Sequence, residues 1–411
     1  METCSRKIQR TYLITTSYLH SSKKMRAESL ALSSTLLNPD HDFSYRYDAV
    51  RSYLDSLAKP VGSLGTLEDY GARISALQRV VTPTIDNAIC LIFAGDHGVA
   101  KDISEGGRNC SSYPQAVSRK VIQGLDRGIA GASVLANQSN VKLRVIDVGL
   151  ADDPSGENAE WSGSYVCASK HRIKGGSKNF CIGNAMTESE VEQCISAGRD
   201  ETAKFIDETK ANIVLFGEVG IGNTTSSSAL LAALTGMDVK CLVGVGASTT
   251  RDGINDDAEK KKIAIIDEAF RFHKTSELLI GKPLLALQKF GGAEIAALVG
   301  GFLECSDRDV PILVDGFMVT TAALFACQID PTVTRLLLFA TQSTEKGQAI
   351  ALTEIDEIAR LNNIPALVTP ALNMHLRMGE ATGALLAIPL VRSACAIVSE
   401  LATLNELLGI A

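Results

Sequence analysis

Residues 211–235 read ANIVLFGEVGIGNTTSSSALLAALT, and this stretch decides the fold. It opens with a short, continuous apolar run, which is typical of a strand buried on both faces of a sheet. Gly220 and Gly222 follow, and a run of hydroxyl residues then opens an apolar helix. The stretch therefore predicts a strand, a tight turn and a helix, the repeating unit of a parallel α/β sheet.

The same pattern recurs along the chain. Other short apolar runs that end in glycine or a polar residue lie at 88–98, 142–150, 241–246, 310–317 and 335–342. Helical patterns lie between the runs at 114–136, 187–208, 225–235, 257–273 and 292–304. We predict an α/β fold with a Rossmann-like, mostly parallel sheet and helices on both faces.

Both ends of the chain read differently from this α/β domain, which we place at 86–350. Residues 46–85 show two helical patterns separated by Pro60 and Gly62. Residues 351–411 are again helical, carry the segment around Glu380 and are expected to complete a small helical domain with the first two helices.

Residues 1–45 form a basic leader. The first 26 residues carry six Lys and Arg side chains against one acid, which is typical of an organellar transit peptide. A disordered basic tail, or an extension upstream of a true start at Met25, is an equal alternative. The polar segment 151–185 is expected to run over the surface rather than to form a core element.

Composition excludes several classes of function. With 411 residues and 45% hydrophobic content the chain can bury a large core. A net charge of −7 argues against nucleic acid and acidic membranes as partners. No uncharged apolar run reaches the roughly eighteen residues of a membrane span. The ten cysteines form no Cys-x-x-Cys pair, so we predict a soluble intracellular protein without metal or cofactor.

Polar residues end five of the predicted strands. Because ligands of such sheets bind beyond the carboxyl ends of the strands, these residues predict one shared pocket. Among them, His97 is expected to be a hydrogen-bonded structural residue rather than a metal ligand. The strand-end residues are Asp96, His97, Asp147, Glu218, Asp315, Gln342 and Ser343.

The turn at 220–224 favours an anion site, because free amides at a helix N-terminus bind phosphate. The lysine of a Walker A loop and the spacing of a dinucleotide fingerprint are both missing. An ordinary N-capping cluster is the alternative. A carboxylate beside a phosphate would repel it, so Glu218 is expected to serve a ribose hydroxyl or a cationic ring.

A second carboxylate, Glu380, lies between Gly379 and the start of a helix of small residues. Apolar neighbours would raise its pKa and suit it to accept a proton near neutral pH. The alternative is an acid in the first turn that complements the helix dipole.

Seven stretches together resemble the nicotinate-nucleotide:dimethylbenzimidazole phosphoribosyltransferase family, which builds the lower-ligand nucleotide of cobamides. They run in the family's order and cover most of residues 55–400. The stretches are KPVGSLGTLE (59–68), FAGDHGVA (93–100), SSYPQAVS (111–118), GEVGIGNTTSSSAL (217–230), GGAEIAALVGGFLE (291–304), VPILVDGFMVTTAALFA (310–326) and LRMGEATGALLAIPLVRSA (376–394).

The resemblance implies a homodimer that needs no cofactor. It also implies a reaction in which a benzimidazole nitrogen displaces nicotinate from nicotinate mononucleotide, with inversion at C1′, to give α-ribazole 5′-phosphate. The family's catalytic base falls on Glu380, and Glu218 is assigned to orienting the ribose or helping the proton transfer. The substrate-binding positions implied are Gly220, Ile221, Gly222, Asn223, Thr224, Gly246, Lys262, Asp315, Ser343 and Arg377, with Ser111 and Tyr113 in the base pocket.

The chain also departs from the family pattern. Residues 101–110, KDISEGGRNC, are an insertion, and Lys120 stands where the family often has glutamine. Gln342 and Gln348 replace histidines near Ser343. Lys262 is the best match for the family lysine in a register that insertions make uncertain.

Two alternatives stay open. One is a protein that binds a nucleotide or cobamide precursor without catalysis. The other is a transferase that uses phosphoribosyl diphosphate, suggested by ILVDGFMVTT at 312–321; it is disfavoured because Gly316 stands where a second acid would be needed. The preferred lower-ligand base is not specified by the sequence.

Overall fold

The computed structural model describes residues 32–151, 165–244, 246, 256–274 and 279–409. Contacts divide the chain into two units: a larger one, Ile85–Pro389, and a smaller one formed by residues up to Thr84 together with those from Leu390 onward. We expected the C-terminal helical part of the small domain to begin at residue 351. The division lies after Pro389, so Glu380 belongs to the larger unit.

The larger unit contains a six-stranded sheet in which every pair of neighbours is parallel. The strands are β1 (Ala88–Gly95), β2 (Lys142–Gly149), β3 (Val166–Ala168), β4 (Ile213–Val219), β5 (Ile312–Val314) and β6 (Leu337–Phe339). Every residue of β1 and β4 is buried, as expected of central strands covered by helices on both sides. The predicted parallel α/β fold is confirmed.

The strand order, β3-β2-β1-β4-β5-β6, places the functional crevice. The chain moves outward from β1 through β2 to β3, then returns to β4 and continues in the opposite direction. The change of direction opens a crevice beyond the carboxyl ends of β1 and β4, where such folds bind ligands. Ala94 pairs with Val219, so the loops that begin at Asp96 and Gly220 border this crevice.

Helices follow the strands, as the apolar periodicity predicted. Residues 114–136, expected as one helix, form two, because Gly128 takes a left-handed φ of 72° between them. The helix after β3 begins with a capping box made by Thr187 and Glu190. The helices of this unit are Val117–Asp126, Gly131–Gln138, Glu188–Thr209, Asn223–Thr235, Val239–Leu242, Asp256–Phe272, Pro283–Phe290, Ala293–Asp307, Phe317–Ile329, Gly347–Leu361 and the start of Thr382–Glu400.

Two sequence expectations were wrong. Residues 241–246, expected as a strand, are not one: the short helix Val239–Leu242 occupies their beginning, and the carboxylate of Asp238 caps it by accepting from the Lys240 N–H. Of the segment 151–185, expected as a surface excursion, residues 152–164 lie outside the described residues, and the described part supplies the edge strand β3, which pairs with β2. Three residues are too short a run to produce a strand signal in sequence.

The smaller unit packs helices from both chain ends. Its described helices are residues 32–37, Phe43–Asp55, Thr66–Gln78, the end of Thr382–Glu400 and Leu404–Leu408. Leu57 and Thr403 form an antiparallel bridge. The buried Glu68 carboxylate lies 2.9 Å from the Lys59 ammonium, which pairs the charge that burial would otherwise penalise.

One helix among the described residues, Thr382–Glu400, is long and apolar enough to cross a membrane by length and composition. It contains Arg392 and Glu400 and is therefore not an uncharged run. Within its most apolar window 56% is buried inside the protein, and a core helix has the same properties. It therefore carries little weight as a membrane signal.

Candidate active site

Glu218 stands near the carboxyl end of β4 and is almost fully buried, with 3% exposure. The side-chain amide of Asn223 donates to its Oε2, whereas its Oε1 has no partner within the described part of the chain. Burial raises the pKa of Glu218 well above its ordinary value, and the charges of Asp315, Glu294 and Glu380 raise it further. Glu218 therefore keeps its proton to a higher pH than an exposed glutamate does.

Glu380 reaches the same place from another part of the chain. Its backbone N–H donates to the carbonyl of Glu218 at 3.3 Å. Its Oε2 is buried and has no partner among described residues. Burial raises its pKa, the backbone of Ala132 lowers it by hydrogen bonding, and the charge of Asp315 raises it. Such a carboxylate can accept a proton nearer neutral pH than an exposed glutamate.

Asp315, at the end of β5, has a positioning function in this structure. Its Oδ1 accepts from the Ala384 N–H at 2.9 Å, and the amides of Gly316 and Gly383 also hydrogen-bond it. Burial raises its pKa to about 6, although the hydrogen bonds from these amides lower it. Asp315 thus anchors the start of the helix that follows Glu380, and direct contact with substrate stays a prediction.

The loop 220–224 leads into the N-terminus of helix Asn223–Thr235. Gly222 precedes the helix with φ +102° and without a side-chain cap. The Ile221 N–H donates to Ser118 Oγ at 3.1 Å, whereas the N–H groups of Gly222 and Thr224 have no acceptor in the described structure. Uncapped amides at the positive end of a helix form an anion site.

A cation and a second glycine turn lie beside this loop. The ammonium of Lys262 donates to Thr224 Oγ1 at 3.1 Å and to the Gly244 carbonyl at 3.4 Å. Burial lowers the pKa of Lys262, and the charge of Glu345 raises it. Glu345 also accepts from the Gly246 N–H at 2.8 Å. The structure therefore brings Lys262 and Gly246 together at the anion loop.

Ser343 belongs to the same cluster through Glu345. Its hydroxyl accepts from the Glu345 N–H at 3.2 Å, and its own N–H donates to the side chain of Gln348 at 2.6 Å. Gln348 is buried and also donates to the Thr341 carbonyl. Arg377, in contrast, is exposed, and no hydrogen bond or ion pair among the described residues joins it to the other predicted residues.

Comparison with known proteins agrees with this geometry. A family model described as phosphoribosyltransferase matches residues 39–407, which is most of the chain. The chain belongs to this phosphoribosyltransferase family.

Curated relatives and solved structures extend the likeness over nearly the whole length. The nicotinate-nucleotide–dimethylbenzimidazole phosphoribosyltransferase of Pseudomonas putida KT2440 is 38% identical over 360 residues, covering 87% of this chain and 93% of the relative. The enzyme of that name from Desulforamulus reducens is 37% identical with the same coverage. The crystal structure of the corresponding enzyme from Thermus thermophilus superposes with a TM-score of 0.74 at 30% identity, covering 89% of this chain and 98% of that one.

A cavity of about 1020 Å³ adjoins the site of this phosphoribosyltransferase. Asp96, at the end of β1, lines it together with Ser111 and Lys120. Tyr113 is 47% exposed, and its N–H donates to Ser111 Oγ at 3.1 Å. Neither Glu218 nor Glu380 is among the described residues that line this cavity. The base pocket at Ser111 and Tyr113 and the catalytic role of the two glutamates therefore stay predictions.

Residues 101–110, expected to be an insertion relative to the family, form one wall of the cavity of this phosphoribosyltransferase. Arg108 anchors this segment by three hydrogen bonds to the Glu268 carboxylate, the shortest at 2.6 Å. The side-chain amide of Asn179 donates to the Gly106 carbonyl at 2.7 Å. The insertion is thus tied to the domain at two points.

Sequence reasoning missed two buried carboxylates of the phosphoribosyltransferase, Glu294 and Glu345. Glu294 pairs with His97. The two glycines that precede Glu294 could have indicated this close contact, since glycine allows close approach of the backbone. Asp147, predicted at the shared pocket, is bound by Arg172 at 2.8 Å and by the amides of Gly149 and Leu150. Its contact with a ligand stays a prediction. No group of three or more metal-binding side chains occurs among the described residues.

Proposed function

We propose that this protein transfers the phosphoribosyl group of nicotinate mononucleotide to 5,6-dimethylbenzimidazole or a related base. The products are nicotinate and α-ribazole 5′-phosphate. Besides family membership, one observation supports it: Glu218 and Glu380 each keep a buried oxygen without a partner in the described chain, beside the uncapped amides of loop 220–224. A nucleotide can satisfy both kinds of group. Its ribose hydroxyls donate hydrogen bonds to the carboxylate oxygens, and its phosphate accepts hydrogen bonds from the loop amides.

The phosphate is held at the anion loop. The amides of Gly222 and Thr224 donate to its oxygens, and the Lys262 ammonium adds a positive charge from beside Thr224. The phosphate in turn favours the charged form of Lys262, which burial disfavours. Ile221, Asn223, Gly246 and Ser343 shape the same cradle.

Bond exchange at C1′ then needs little proton chemistry on the leaving side. The glycosidic nitrogen of nicotinate mononucleotide is already positive, so the ring leaves with the bonding electron pair and without a general acid. One nitrogen of the incoming base forms the new bond to C1′ from the opposite face, which inverts the configuration. Glu380 takes the proton from the other ring nitrogen, and its raised pKa suits this task.

Glu218 serves the ribose rather than the phosphate. It is too buried to meet bulk water, and its unpartnered Oε1 lies against Gly379, where a Cβ would collide with it. The incoming base enters beside Ser111 and Tyr113, and the cavity next to them provides its entrance. Arg377 is exposed, and its contact with substrate stays a prediction.

We also propose a homodimer. Three large apolar side chains near the Glu380 segment are at least half exposed: Ile129 at 62%, Val134 at 52% and Met378 at 50%. Met378 packs on the start of helix Gly131–Gln138, so the three residues lie on neighbouring backbone. Light scattering across a range of concentrations tests the dimer, and Val134→Asp is expected to shift it towards monomer.

One assay separates the candidate functions. Pure protein is incubated with nicotinate mononucleotide and dimethylbenzimidazole, with and without magnesium, and the products are resolved by chromatography. We expect nicotinate and ribazole phosphate in equal amounts, without a need for magnesium. Protection of the protein by ligand without release of nicotinate would indicate a binding protein. Activity only with phosphoribosyl diphosphate and magnesium would indicate the other transferase.

We infer that the enzyme acts in the soluble interior of the cell. The relatives described above are bacterial. Residues 1–31 of the basic leader lie outside the described residues, and import into an organelle has no support from these relatives. Residues 32–45 do not continue the leader: residues 32–37 are helical, Leu32 and Leu36 are buried, and the next helix begins at Phe43. Fusion of residues 1–45 to a fluorescent protein would test that part directly.

A further inference from the structure

The wall of the cavity also supports the anion loop. A Cβ on Gly222 would lie 2.9 Å from Ala100 Cβ and 3.3 Å from Cys110 Sγ, and Ala100 and Cys110 both line the cavity. Gly222 carries one of the two loop amides that have no acceptor in the described structure. The loop that presents these amides therefore packs directly against the cavity wall.

Ser118 adds a polar link between the loop and the helix Val117–Asp126. Its side chain is fully buried, and its Oγ accepts from the Ile221 N–H at 3.1 Å. Ile221 immediately precedes Gly222, so this hydrogen bond fixes the loop one residue before its free amides. The orientation of the loop therefore depends on the position of the helix that carries Ser118.

The same helix borders the cavity. Arg119 and Lys120, which follow Ser118, line the cavity, and so does Gln115, which precedes the helix. The carbonyl of Gln115 accepts from the Ser118 N–H at 3.0 Å, and its side-chain amide donates to the His97 carbonyl at 2.8 Å. A ligand in the cavity therefore contacts residues on both sides of Ser118 in the sequence.

Asp96 holds the hydroxyl proton of Ser118. Burial raises the pKa of Asp96, and a hydrogen bond with the Ser118 side chain opposes that change. A hydroxyl has one proton to donate and two lone pairs with which it accepts. Because that proton goes to the Asp96 carboxylate, the Ser118 Oγ keeps its lone pairs for the Ile221 N–H. Asp96 itself lines the cavity, and its Oδ2 accepts from the Ala151 N–H at 2.8 Å.

We propose that Ser118 is a positioning residue that couples the two substrate sites, so that a base in the cavity and a nucleotide phosphate at the anion loop favour each other's binding. The inference rests on the proposed function. A base bound against helix Val117–Asp126 fixes the helix, and Ser118 then fixes the Ile221 amide and the loop that follows it. A loop ordered in advance binds the phosphate with less loss of conformational entropy. Linkage requires the same coupling factor in either order of binding.

Hydrogen exchange tests this link without turnover. In the wild-type enzyme, saturating dimethylbenzimidazole alone should slow amide exchange in the peptide 219–224 by about fivefold or more, the lower end of typical coupling between sites. Ser118→Ala should lose this slowing. The matched control is Ser133→Ala, which removes a buried hydroxyl that donates to the Ala130 carbonyl of its own turn, and it should keep the slowing. Equal slowing in wild type and in folded Ser118→Ala would overturn the proposal.

Calorimetric titration measures the coupling factor itself. In a Glu380→Gln background, which we expect to turn over slowly, saturating dimethylbenzimidazole should lower the Kd for nicotinate mononucleotide by about fivefold or more. Adding Ser118→Ala should bring this factor to about one. Without the base, Ser118→Ala should also weaken nucleotide binding by about 2–10-fold, the range for one neutral hydrogen bond.

The outcomes separate the coupling from the proposed function. A coupling factor that Ser118→Ala leaves unchanged would contradict the role of Ser118, while the proposed function would stand. If dimethylbenzimidazole binds neither the wild-type enzyme nor the variants, the proposed function is rejected and the coupling with it.

Discussion

The backbone N–H of Glu380 donates to the backbone carbonyl of Glu218 at 3.3 Å. This hydrogen bond joins the segment before the last long helix to the end of β4. The chain turns there through two left-handed residues, Glu380 at φ +62° and Ala381 at φ +60°. Such conformations are costly for non-glycine residues and persist where the surrounding structure holds them. Two acids from distant parts of the sequence thereby enter one crevice.

Glu380→Gln is expected to keep the fold and lower kcat by about 10²–10⁴-fold, the usual contribution of a positioned general base. The KM for nicotinate mononucleotide should change little, because the phosphate is held elsewhere. Turnover of the two substrates measures the effect, with thermal unfolding as the check on folding. Glu357→Gln, on the exposed face of helix Gly347–Leu361, should behave as wild type. A Glu380→Gln enzyme with most of its turnover would exclude this residue as the base.

Gly222→Ala is expected to impair phosphate binding. Gly222 has φ +102°, and a Cβ there would lie 2.9 Å from Ala100 Cβ and 3.2 Å from His97 Cβ. A strained residue of this kind costs about 1–3 kcal/mol, and relief of the strain would displace the loop amides. Titration with nicotinate mononucleotide should show weaker binding. Gly183→Ala is the control, since a Cβ added there would have no atom within 4 Å; equal losses in both variants would refute a special role for Gly222.

Lys262→Met is expected to raise the KM for nicotinate mononucleotide by about 10–100-fold, the range for a charged hydrogen bond of about 1.5–3 kcal/mol. Burial lowers the pKa of Lys262, so in wild type the KM should also rise as pH increases through that pKa. The variant should lack this pH dependence. Steady-state kinetics across pH provide the measurement. Lys260→Met, whose side chain is 76% exposed, should leave the KM unchanged, and a similar rise there would argue against a site-specific effect.

Asp315 should make stability depend on pH. Its folded pKa is about 6, whereas an unfolded aspartate has a pKa of about 3.9. The folded state therefore retains a proton that the unfolded chain releases, so the free energy of unfolding falls by about 3 kcal/mol as pH rises from about 4 through about 6. Asp315→Asn should flatten this dependence in urea unfolding at several pH values. The surface variant Asp207→Asn should not; an unchanged slope in Asp315→Asn would contradict the assignment.

Much of the sheet could be predicted because central parallel strands are continuous apolar runs. The apolar runs at 88–98 and 211–222 predicted the positions of β1 and β4 in the chain, and the glycines near the end of each run predicted the loops that follow. The edge strand Val166–Ala168 could not be predicted, because three residues are too few to show a regular apolar pattern. They form a strand because they pair with β2. The run at 241–246 misled because its apolar residues belong to a short helix and the chain after it.

The sequence by itself determined the parallel α/β class and the family, and it predicted the anion loop, since these depend on local patterns of apolar, glycine and hydroxyl residues. The tertiary structure decided which acids meet. It placed Glu380 beside Glu218 through a backbone hydrogen bond, bound Asp315 to the backbone at the start of the last long helix, and paired Glu294 with His97. The physical reason is that the charge state of a buried acid depends on neighbours brought together by strand order and loop closure, and no local pattern contains that information.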